Sequence, residues 1–171
     1  HQRQPFAAFD VAGHNNQLIV VDPVSLQKWS APLSSLPTSI QEQLSSTNME
    51  FIQEGDYLYC VGGYGYSATE GDHTTYPKLT AIKVSDVINA VIANTNFTAH
   101  FRQISDTLFQ VTGGRLRKID NVYYLLGGQK FIGRYNPMGP THGPGFTQEY
   151  TDQIRKFTMT DDGTTISINH F

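Results

Sequence analysis

A single cysteine, Cys60, leaves no material for an internal disulfide framework or a multi-cysteine zinc site. Charge is sparse as well. Only 16% of the residues are charged and the net charge is −3, which removes the electrostatic basis for a nucleic-acid partner. No run of about 18 apolar residues occurs, so no membrane span is encoded. Phosphate-binding glycine loops are missing too: no Gly-x-Gly-x-x-Gly leads into a helix, and Gly-Lys-Ser/Thr is absent. The six histidines show no His-x-His or His-Glu-x-x-His spacing, so neither a metal site nor a cofactor is expected. No nucleophile stands with a base in a familiar arrangement, and no catalytic residue is assigned.

What remains is rich in turn formers and aromatics. The chain of 171 residues carries 15 Gly, 9 Tyr and 10 Phe, a composition suited to pleated surfaces joined by tight turns. An all-β fold is expected. The sequence also repeats itself. Met49 to Gly63 aligns without gaps on Gly114 to Gly128, at an offset of 65 residues. Each copy reads as strand, two-residue turn, strand and a glycine pair. Gly55-Asp56 and Asp120-Asn121 are the turns; Gly62-Gly63 and Gly127-Gly128 are the pairs. The strand before each pair is almost continuously apolar, as expected for burial on both faces. Cys60 lies in the first of them and reads as a small buried hydrophobe.

A second repeated unit follows. Leu79 to Val84 matches Ile154 to Met159 at an offset of 75, so about ten extra residues lie in the Gly/Pro-rich connection from Phe131 to Gln148. Phe101 to Ile104 and Thr165 to Ile168 would add an outer strand to each unit. The N-terminal part fits from partway in. Phe6 to His14 stands where a strand and glycine pair belong, and Leu18 to Trp29 supplies a strand, an Asp22-Pro23 turn and a Trp entering the next strand. Thr38 to Leu44 and Asp86 to Ile92 carry short helical patterns, with Asp86 as the N-cap of the second.

An apolar run ending in Gly-Gly, a later strand with Asp22-Pro23, and Trp29 seven residues on resemble the kelch motif. The resemblance implies a kelch-type β-propeller fragment of about two and a half four-stranded antiparallel blades. Residues 1–36 form a partial blade, and 37–106 and 107–171 one blade each. It implies structural roles for Gly62, Gly63, Gly127, Gly128, Asp22 and Trp29, the glycines at a crowded turn near the ring axis and Trp29 against the next sheet. A ring needs roughly four to eight blades, so further sequence or another chain is expected to complete it. Val111 to Gly114, Tyr124 to Gly128 and Gly133 to Pro137 resemble kelch-containing proteins that bacteria export, which implies an extracellular or cell-surface location.

Function in such a fold sits in rim loops. The segments after the glycine pairs supply the candidate binding residues: Tyr64, Tyr66 and His73 in the first, Arg134, Tyr135, Asn136 and His142 in the second. Aromatic faces stack while amides and guanidinium form hydrogen bonds, a chemistry suited to a carbohydrate or protein ligand. The leading expectation is a non-catalytic binding or assembly module. A sugar-active propeller enzyme, with Glu149, Asp152 and Arg134 as its weak trio, and an intracellular kelch adaptor are the alternatives.

Overall fold

Gln17–Val21 (β1) and Lys28–Pro32 (β2) form the first hairpin, and a built turn holds it closed. The Asp22 carboxylate accepts from Val24 N at 2.9 Å and from Ser25 Oγ at 2.6 Å, and these bonds hold its pKa below the ordinary range. The structure is a computed structural model that describes residues 8–136 and 145–171. Of the stretch Phe6 to His14, where a strand and glycine pair were expected, the described part from Ala8 onward is not a strand. Phe9 takes φ 54°, which breaks an extended run, and Val11–Gly13 is one 3-10 turn capped by Asp10. The helix Thr38–Leu44 (α1) follows.

Glu50–Glu54 (β3) and Tyr57–Val61 (β4) make the hairpin read from the first repeat, with Gly55-Asp56 as its turn. Tyr64–Ser67 (β5) and Asp72–Thr75 (β6) come next, then Lys78–Lys83 (β7), the helix Val84–Ala93 (α2) and Phe101–Ser105 (β8). Strands β3, β4, β7 and β8 form one antiparallel sheet in that order. Alternation sorts its side chains between two cores. Cys60, Ile82 and Phe101 face α1, α2 and the β1–β2 hairpin, with Trp29 half-buried against them; Tyr59, Val61, Leu79 and Ala81 face the other way. Burial pushes the Cys60 thiol up to about 12, so it is an inert packing residue.

Asp86 is not the cap of α2. It lies in the first turn and takes Lys83 Nζ at 2.8 Å, while Asp56, in the β3–β4 turn, accepts from Ser85 N at 2.9 Å and does the capping. A side chain brought in by the tertiary fold displaced the local one.

Arg115–Ile119 (β9), Val122–Leu126 (β10), Arg155–Asp161 (β13) and Ile166–His170 (β14) build a second antiparallel sheet, ordered β9-β10-β13-β14. It packs on the first through Leu116, Tyr123, Leu125 and Phe157, with Phe109 and Val111 between. Charges rim this contact. Tyr59 OH and Arg102 Nη2 both donate to Asp161 Oδ2 at 2.9 Å, and Lys118 meets Glu54 at 2.7 Å. Glu50, at the β3–β9 seam, is buried, accepts from Gly114 N and leaves its other oxygen without a partner. Burial pushes its carboxyl up to about 7. The second sheet is not buried on both faces as its apolar run suggested. Val122, Tyr124 and Leu126 are only half-buried, and Ile119 beside them is 61% exposed.

The segments after the glycine pairs are strands, not loops. Gln129–Gly133 (β11) and Phe146–Tyr150 (β12) form a hairpin, and β11 pairs with β6, so a third sheet runs β12-β11-β6-β5. Thr75 Oγ1 reinforces the seam, donating to Phe131 O at 3.1 Å and accepting from Phe131 N at 2.8 Å. The described residues are thus mostly β, with three four-stranded antiparallel sheets, one two-stranded sheet and two short α-helices. No helix among the described residues is long and apolar enough to cross a membrane.

The two glycine pairs differ. At Gly62 (φ 67°) a Cβ would lie 2.0 Å from Val111 O; at Gly127 (φ 60°) it would meet nothing within 4 Å. Crowding, expected at all four, holds at Gly62, Gly63 and Gly128 and not at Gly127. Gly127→Ala should therefore cost about 1 kcal/mol, the left-handed penalty by itself. Gly62→Ala should cost about 3 kcal/mol or more, because backbone must move. Equal losses in chemical denaturation would contradict this difference.

Glu50 makes stability depend on pH. Its folded pKa of about 7 exceeds the unfolded value of 4.5, so its contribution is full below pH 4.5 and lost as pH rises through 7. Between pH 5 and 8 the wild type should lose up to about 3 kcal/mol relative to Glu50→Gln. A gap between the two proteins that does not change with pH would rule this out.

Candidate functional site

Pairing puts Gln129 opposite Tyr150 and Phe131 opposite Gln148, so all four share one face of the third sheet with Phe146. Tyr64 closes the site from below. Its hydroxyl donates to Gly133 O at 2.6 Å and accepts from Tyr135 N at 2.9 Å, which fixes the end of β11 on β5. Burial raises this phenol to about 12, so it stays protonated and keeps both bonds. Phe9 stands edge-on to Tyr64 at 5.1 Å, and Tyr135 lies 5.0 Å from Phe146 and 5.8 Å from Phe131.

These rings border a cleft of about 350 Å³. Phe9, Tyr64, Phe131, Tyr135 and Tyr150 supply aromatic wall; Asn48, Thr112, Gln129 and Gln148 supply amides and a hydroxyl. None of these side chains is charged. The described lining can stack and hydrogen-bond a neutral ligand.

The residues singled out by sequence fall into distinct positions. Tyr64 and Tyr135 line the cleft. His73 is buried, with Nε2 2.7 Å from Phe9 O, and Asn136 is buried and engaged. Tyr66 is half-buried, edge-on to His73 at 5.5 Å. Arg134 donates from Nε to Ala8 O at 2.9 Å and so ties the N-terminal turn to this sheet. His142 lies outside the described residues. Of the trio considered for catalysis, Glu149 and Asp152 are exposed. Among the described residues, no three His, Cys, Asp or Glu side chains gather as metal ligands would.

Sequence reasoning did not single out Phe9 or Gln129, and it had only the segment, not the shared face, for Gln148 and Tyr150. The alternation Phe146-Thr147-Gln148-Glu149-Tyr150 is the period-two signal that would have put the last two on one face. Comparison with protein-family models gives no match, and comparison with the curated proteins gives none either.

Tyr64→Phe keeps the ring packing and removes both hydroxyl bonds. It should lower stability by about 1–3 kcal/mol, since Gly133 O and Tyr135 N lose a buried partner. A melting temperature equal to the wild type would show that the hydroxyl does not hold this corner.

Proposed function

We propose that this chain is a non-catalytic binding and assembly module, part of a kelch-type β-propeller exported to the bacterial cell surface. It recognises a protein or carbohydrate through the aromatic surface after the glycine pairs, and is completed by another chain or by further sequence. One observation carries the assembly reading. The outward face of the second sheet presents Val122, Tyr124 and Leu126, and the 65-residue repeat makes these the counterparts of Tyr57, Tyr59 and Val61. In the first sheet that face is covered by the second sheet. In the second sheet it stands open, with Ile119 exposed and Arg115 and Arg117 flanking it. A further sheet of the same kind fits there. The surface location rests on the resemblance of Val111 to Gly114, Tyr124 to Gly128 and Gly133 to Pro137 to exported kelch proteins.

The test is sedimentation of the isolated chain. Wild type should self-associate through the open face, and Ile119→Lys with Tyr124→Lys should return it to monomer at an unchanged melting temperature. A wild type that stays monomeric at high concentration would defeat the assembly reading.

A further inference from the structure

The cleft on the third sheet carries a more specific message than aromatic character. Gln148 Nε2 donates to Gln129 Oε1 at 2.5 Å, a bond between neighbours on one sheet face. Each primary amide has two N–H donors and one carbonyl acceptor. Their mutual bond uses one donor of Gln148 and the carbonyl of Gln129. It leaves the Gln129 N–H groups and the Gln148 carbonyl without a protein partner among the described residues. The pair is held by its own bond, so little rotamer freedom is lost when a ligand arrives.

Beside it the Tyr150 ring is 78% exposed. A Tyr that packs the fold hides its ring; this one offers a face. The described residues lining the cleft are uncharged, although Lys130 and Glu149 sit one position away on the same two strands. Strand alternation sends those charges to the opposite face.

We infer that this cleft is a saccharide subsite that takes a neutral pyranose unit. The inference rests on the recognition reading proposed above and names its ligand class. Free amide N–H groups and a free carbonyl on one sheet face suit sugar hydroxyls, each of which both gives and accepts a hydrogen bond. The C–H face of a pyranose ring lies against the electron-rich face of Tyr150. The uncharged side chains of the described lining disfavour a sugar acid, whose carboxylate would lose hydration without a counter-charge. A volume of about 350 Å³ lies at the small end of ligand pockets, sized for one or two rings and not for a folded domain.

Ligand-observed saturation-transfer NMR on the whole chain tests this. The probes are the methyl glycosides of glucose, galactose, mannose and N-acetylglucosamine, with glucuronate and N-acetylneuraminate as charged comparisons. At least one neutral glycoside should bind with Kd on the order of 1 mM, as a single small ring would. Tyr150→Ala and Gln148→Ala, both at exposed side chains, should each weaken it about tenfold with melting temperature unchanged. No transfer from any neutral glycoside, transfer from the charged sugars alone, or binding that survives both substitutions would overturn the inference. So would capture of an enzymatically deglycosylated surface protein that is lost in Tyr150→Ala. That last result would leave recognition by this sheet standing, so failure of the sugar and failure of the binding module are distinguishable.

Discussion

Gly63 N donates to Val111 O at 3.0 Å, and Gly62 lies so close to the same carbonyl that a methyl group would have no room. This contact ties the end of β4 to the segment entering β9. It therefore sets the spacing of the two large sheets. It also turns the chain out of the first sheet into β5, from which the third sheet is built. A larger residue at Gly62 would push the two repeats apart at the point where both depend on each other.

A second constraint comes from Gln43, fully buried at the end of α1. Its amide nitrogen donates to Cys60 O, Gly62 O and Lys78 O at 3.0–3.3 Å, and its oxygen accepts from Thr80 Oγ1 at 2.6 Å and Gln103 Nε2 at 3.0 Å. One side chain thus satisfies polar groups on β4, β7 and β8 and holds a seven-residue helix against them. A helix that short has little stability of its own, so its place comes from this network and from the apolar contacts of Ile40 and Leu44.

The candidate site inherits its order from these constraints. Its floor, Tyr64, follows directly on the glycine pair. Its wall, β11 and β12, is held to β6 by backbone pairing and by the Thr75 hydroxyl. The polar and aromatic groups of the cleft on β11 and β12 are therefore mounted on paired strands, which suits the proposed binding site. The uncovered face of the second sheet lies on different strands, so the proposed recognition and assembly surfaces are separate.

Local pattern decided much of this molecule. Alternating apolar residues and small polar pairs specified the β3–β4 and β9–β10 hairpins in the right register, because a two-residue turn leaves one register for the flanking strands. Thr38 to Leu44 was legible as a helix for the same kind of reason. The repeat goes deeper than residue likeness shows. Thr47 bridges Tyr64 as Thr112 bridges Gln129, and Asn48 and Gly113 both take positive φ, at the same offset of 65. Tyr64 and Gln129, like Asn48 and Gly113, are different residues in one backbone role, so letter comparison passes over them. Only the tertiary structure decided that β6 meets β11, that Asp56 rather than Asp86 caps α2, and that Gln129, Gln148 and Tyr150 share a cleft. Each needs a partner tens of residues away or the facing strand of a hairpin, and such pairings are settled by what the assembled sheets leave unsatisfied, which local sequence does not encode.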